Sequence, residues 1–112
     1  MNMIKIYKED QNNLMVDLKL KEANVTNADE FKVELMKLFD KAHKRIILNL
    51  NQVEYVDSSF LGALVSSLKH VISYNCELVL VGLCKDITDL FALIRLDKVF
   101  KIYNTFNDVP AY

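Results

Sequence analysis

The side-chain chemistry of this sequence is concentrated at Asp57, Ser58 and Ser59. This triplet stands between a strand-like segment ending at Val56 and the first apolar positions of a helical pattern. A helix N-terminus presents unpaired N–H groups and the positive end of the helix dipole. An anion placed there is stabilised. Phosphorylation of Ser58 would bring roughly 1.5 to 2 negative charges to that point. The helix need not melt. The local surface would turn from nearly neutral to strongly anionic, and such a change can eject a partner without refolding. Asp and Ser are also preferred capping residues, worth about 1 kcal/mol with no other role. The triplet alone therefore fits a simple cap as well as a switch.

Other chemistries find fewer of their parts. A Ser–His hydrolase would need a base within hydrogen-bond reach of Ser58. His70 lies about three helical turns further on, roughly 18 Å at 1.5 Å per residue. His43, beside Lys44 and Arg45, has the character of solvated charge at a helix end. Two cysteines, Cys76 and Cys84, and the two distant histidines are too few for a metal site. Both cysteines fall in segments of core character, which predicts buried thiols and no disulfide. Gly62 and Gly82 are isolated, so no phosphate-cradling loop is expected. The expectation is a chain with no catalytic residues, no cofactor, no bound metal and no nucleotide site of its own.

Bulk properties narrow the partners. Fourteen basic and 15 acidic side chains leave a net charge of −1 over 112 residues. There is no basic excess to neutralise a nucleic-acid backbone or to hold an anionic membrane. Apolar residues make up 52% and charged residues 26%, the balance of an ordinary folded domain. No apolar run approaches the length of a membrane span, and the first residues alternate rather than forming a signal peptide. We expect one cytoplasmic domain over 1–112, with no membrane insertion.

Periodicity places the elements. Ile4 and Ile6 mark a first strand, Gln11-Asn12-Asn13 a turn, and Leu14, Val16, Leu18 and Leu20 a second strand with one apolar face. Thr26-Asn27 is the expected start of a helix, with Asp29 and Glu30 in its first turn and a stripe of Phe31, Leu35, Leu38 and Ala42. Ile46 to Leu50 forms a strand covered on both faces. Leu61, Leu64, Val65, Leu68, Val71 and Ile72 give a second helical stripe, ended by Tyr74-Asn75. Leu78 to Val81 is another buried strand. Asp86 is the expected cap of a third helix carrying Ile87, Leu90, Phe91 and Ile94, and Val99 to Tyr103 a last strand. The order is β-β-α-β-α-β-α-β. It implies an α/β fold in which an N-terminal hairpin joins parallel strands in a mixed sheet packed with helices.

The longer pattern resembles the anti-sigma-factor antagonists of the STAS family. Ile46-Ile47-Leu48-Asn49-Leu50, then Tyr55-Val56-Asp57-Ser58-Ser59, then Leu61-Gly62 are similar to that family's strand, linker and Asp-Ser-Ser/Thr-Gly-Leu-Gly motif. Glu77 to Val81, Leu90 to Leu96 and Phe100 to Tyr103 resemble its later segments in the same order.

The resemblance implies a partner-switching cycle. Unphosphorylated, such a protein binds an anti-sigma factor that is also a serine kinase, and so frees a sigma factor. The kinase phosphorylates the first Ser after the Asp, here Ser58, and a phosphatase resets the cycle. ATP and its metal belong to the kinase. Asp57 would frame the site, and Ser59 would be an auxiliary cap or second acceptor. A STAS subunit of a lipid transporter, docked on its ATPase, and a signalling scaffold are the alternatives.

Three departures from the family pattern stand out. Phe60 replaces the usual Gly. Lys21-Glu22-Ala23-Asn24 replaces the usual Gly-Glu-Leu-Asp. Asn107-Asp108-Val109 is expected to form one turn at most, where many relatives continue into another helix. With Leu61, Leu64, Val65 and Leu68 pointing inward, Phe60, Gly62, Ala63, Ser66 and Ser67 are expected to face outward as the partner surface.

Overall fold

A computed structural model describes residues 3–112. Strands β1 (Ile4–Glu9) and β2 (Asn13–Leu18) pair antiparallel around a turn set by Asp10. The Asp10 carboxylate accepts from the backbone N–H of Asn12 at 2.9 Å and of Asn13 at 2.8 Å. These bonds hold its pKa below the ordinary carboxylate value.

Three further strands join this hairpin: β4 (Arg45–Asn49), β6 (Leu78–Val81) and β7 (Lys101–Tyr103). The sheet order is β1-β2-β4-β6-β7, parallel from β2 onward. The hairpin-plus-parallel architecture expected from the alternation is the one observed.

A second, two-residue pairing was not expected. Strand β3 (Glu22–Ala23) runs parallel to β5 (Tyr55–Val56). Two-residue strands carry no readable period. What holds them is backbone: Glu54 N–H donates to Lys21 O at 2.8 Å, and Asp57 N–H to Ala23 O at 3.1 Å.

Three helices, α1 (Val25–Ala42), α2 (Ser58–Ser73) and α3 (Lys85–Leu93), bury their apolar faces on one side of the sheet. Leu14, Val16, Leu18, Ile46, Leu48, Leu78 and Leu80 meet Phe31, Leu35, Phe39, Leu64, Val71 and Phe91 there. The opposite face is covered more thinly. Ile47, Val79 and Val81 lie beneath Phe106 and Val109 of the C-terminal segment. That segment makes one 3₁₀ turn, Phe106–Asp108. Its Phe106 ring stacks on Tyr7 with centroids 5.0 Å apart.

Several boundaries differ from the sequence expectation. Helix α1 starts at Val25, ahead of the expected Thr26-Asn27. Asn24 caps it, accepting from Thr26 N–H at 3.0 Å, while the Asn27 side chain accepts from Asn24 N–H at 2.9 Å. Asp29 and Glu30 thus fall beyond the first turn, and Ala28, Met36 and Phe39 join Phe31 and Leu35 in the buried set. Asp86 lies within the first turn of α3 and does not cap it; Cys84 holds the cap position without a side-chain bond. Cys76 and Cys84 are unpaired, and both are half-buried rather than fully buried.

Candidate functional site

Helices α1 and α2 lie side by side and run in the same direction. Phe31 packs on Phe60 near their N-terminal ends, at 4.6 Å between centroids. Phe39 meets His70 near their C-terminal ends, at 5.7 Å. Both N-termini therefore open at one end of the molecule, and their dipoles add there.

Asp57 sits at that junction. Its extended backbone (φ −113°, ψ 176°) takes it out of β5, and its carboxylate caps α2 by accepting from Phe60 N–H at 2.9 Å. The other carboxylate oxygen accepts from Val25 N–H, the first residue of α1, at 2.8 Å. One carboxylate thus satisfies orphan donors of two helices that start 33 residues apart in the chain. No spacing rule signals this contact.

Ser58 opens α2 and is exposed, as expected, and so is Ser59. Neither hydroxyl has a hydrogen-bond partner among the described residues. Asp57 supplies the cap, so Ser59 is not needed as an auxiliary one. The Ser58 hydroxyl is held at the surface by the helix start.

The outward face expected for α2 is only partly observed. Gly62 is exposed and Ser66 is half-buried. Phe60, Ala63 and Ser67 are buried, at 0%, 9% and 0% exposure. The helix is rotated by about one residue from the expected phase. Its inward line runs through Phe60, Leu64, Ser67 and Val71. Packing drives the rotation: the Phe60 ring fills the space between α1 and α2. Ser67 is tolerated inside because its hydroxyl donates to Ala63 O at 2.8 Å. Leu61 and Val65 move to a half-buried flank, and Ile72 is 55% exposed.

Two residues near Ser58 escaped the sequence reading. Val25 is 65% exposed beside Asp57, and Tyr55 of β5 is 53% exposed two residues before it. Both leave apolar surface uncovered on the segments that meet at Asp57. Tyr55, next to the motif in the chain, was within reach of a sequence reading; Val25, 32 residues from Asp57, carried no such signal.

His70 is committed elsewhere. Its Nε2 lies 2.9 Å from Asp40 Oδ1, and its ring packs with Phe39 and Tyr74. That places it at the opposite end of α2 from Ser58. The described residues contain no group of three or more His, Cys, Asp or Glu able to hold a metal. No helix among them is long and apolar enough to cross a membrane.

Residues 6–109 match the STAS domain family. The chain is 35% identical over 89 residues to a candidate anti-sigma factor antagonist of Thermotoga maritima, covering 79% of each chain. Its fold is similar to the crystal structure of such a protein from Thermotoga maritima, with a TM-score of 0.80 and 30% identity over 95% of this chain and 90% of that one. It also resembles the phosphorylated form of the Bacillus cell fate determinant SpoIIAA, with a TM-score of 0.70 and 14% identity over 94% of each chain. That last likeness is one of fold alone. Motif, sheet order and matched length together place the chain in the STAS domain family.

Proposed function

We propose that this protein is an anti-sigma-factor antagonist, a protein-binding module without catalytic activity whose partner surface centres on Ser58. In its unmodified form it binds an anti-sigma factor with serine kinase activity. Phosphorylation of Ser58 by that kinase releases the complex, and a phosphatase restores binding. The observation that carries this reading is the Ser58 hydroxyl: exposed, unengaged, and fixed at a junction of two helix N-termini by Asp57. The relative named as an antagonist supports the general role. The partner surface comprises Ser58, Ser59 and Gly62 with the flanking Val25, Tyr55 and Leu61. Phe60, Ala63 and Ser67 support it from within.

The mechanism is electrostatic. An added phosphate carries about 1.5 to 2 negative charges. It would lie among exposed Val25 and Tyr55, which a partner must desolvate on binding. Ser58→Asp should therefore weaken capture of the kinase-type partner, and Ser58→Ala should bind while resisting regulation. Pull-downs with both variants, each checked for folding by circular dichroism, test this. Equal binding by folded Ser58→Asp and wild type would sink the switch and favour permanent docking, as in a transporter subunit.

A further inference from the structure

Strand β1 is an outer strand of the sheet, paired on one side only. Lys19 N–H donates to Met3 O at 2.6 Å, which fixes which residues of β1 face β2. In an antiparallel ladder these alternate. Ile4 and Ile6, opposite Leu18 and Val16, accordingly turn their N–H and C=O groups toward the open edge.

Alongside that edge runs a groove between β1 and α1. Two hollows of about 440 and 230 Å³ adjoin along it, sharing Ile6 and Leu38 in their walls. Ile6 is 44% exposed there, a large apolar side chain with no cover. Lys5, Lys37 and Lys41 line the groove with Glu34 and Glu9. Glu9 is neutralised by Lys44 at 2.7 Å. The three lining lysines make no ion pair among the described residues, so the groove is left cationic around an apolar floor.

We propose that this groove is a second protein-docking surface, separate from Ser58, that takes an extended acidic segment of a partner protein as an added strand on β1. Main-chain bonds to Ile4 and Ile6 would hold the segment, its apolar side chains would meet Ile6 and Leu38, and its carboxylates would meet Lys37 and Lys41. None of the lining residues belongs to α2 or to the β5–α2 junction, so occupancy would not depend on the charge at Ser58. A second copy of this chain fits less well, because it would bring an equally cationic groove to the same edge. Lysines on an edge strand also deter pairing with other strands, and β1 is irregular between Ile6 and Lys8. That guard leaves the regular Ile4–Ile6 stretch open.

The test uses the full chain and a fluorescein-labelled peptide of alternating Glu and Val, with a Lys–Val peptide as its counterpart. The acidic peptide should bind and the basic one should not. The charge reversal Lys37→Glu with Lys41→Glu, at two exposed helix positions, should weaken binding roughly tenfold or more. Hydrogen exchange at the Ile4 and Ile6 amides should slow on binding, while the Lys5 amide, already turned toward β2, should not change. Equal binding of both peptides, full binding by the folded double variant, or unprotected Ile4 and Ile6 amides would overturn the proposal. So would a dimer in sedimentation that Ile6→Lys disperses, which would assign the edge to a second copy.

Discussion

The two ends of the α1–α2 pair hold the residue types that most invite a catalytic reading, serine at one and histidine at the other, and the structure treats them oppositely. At the N-terminal end the Ser58 hydroxyl is unengaged while Asp57 does the structural work for both helices. At the C-terminal end His70 is paired with Asp40 and packed on Phe39 and Tyr74. The difference teaches that a reactive side chain is available only where a neighbour has taken over its structural duties. Remove that neighbour and the open end should suffer. Disturb the closed end and the loss should stay local.

The largest effect should come from the packing beneath the open end. Phe60→Ala empties the space between α1 and α2 and should destabilise the domain by about 3–5 kcal/mol. Urea denaturation followed by circular dichroism measures it. A loss under about 1 kcal/mol, the range of an ordinary surface change, would mean that Phe60 is not the core residue its burial implies.

Asp57→Ala comes next. It strands the N–H groups of Val25 and Phe60 together, so it should exceed a single cap and lose about 1.5–3 kcal/mol. Asp57→Asn keeps one acceptor and should fall between it and wild type. Equal losses in Ala and Asn variants would show that the carboxylate charge, rather than its two bonds, holds the junction.

At the closed end the effect is smaller. His70 and Asp40 are partly exposed, with side chains 34% and 56% accessible. Solvent screening limits such a pair to about 1 kcal/mol or less. Asp40→Asn should therefore cost little in denaturation and leave partner capture at Ser58 unchanged. Loss of capture in a folded Asp40→Asn protein would show that the two ends are coupled through the helices.

How much of this contrast the sequence discloses depends on the range of the forces involved. Alternation placed the hairpin because every second residue of β2 meets the core, continuous apolar runs placed the strands buried on both faces, and the Asp57-Ser58 boundary followed from capping chemistry. The phase of α2 did not follow. Apolar residues at Phe60, Leu61, Ala63, Leu64, Val65, Leu68, Val71 and Ile72 wrap so far around the helix that two inward lines can be drawn. The Phe31–Phe60 contact chooses between them, and it is set by α1. The β3–β5 pairing and the Asp57–Val25 bond were hidden for the same reason, since both join segments about thirty residues apart. Asn24 was readable as a cap, but Thr26-Asn27 offered an equally good local choice.

The smallest effect on stability should be that of phosphorylation itself. A phosphate on Ser58 would stand near two helix N-termini, each favouring an anion by about 0.3–1 kcal/mol. It would also stand beside the Asp57 carboxylate, and two unit charges about 4 Å apart in water repel by about 1 kcal/mol. These terms largely offset each other, so phosphorylated and unmodified protein should differ by no more than about 1 kcal/mol in unfolding free energy. The residual repulsion is exposed, so added salt should narrow the difference further. Thermal unfolding of the two forms at low and high salt measures both quantities. A small gap together with lost partner binding would locate the switch in surface charge. A gap of about 2 kcal/mol or more, beyond what the two opposing terms can leave, would mean that the phosphate pulls Asp57 away from Val25 and opens the junction between α1 and α2. Partner release would then be a conformational event.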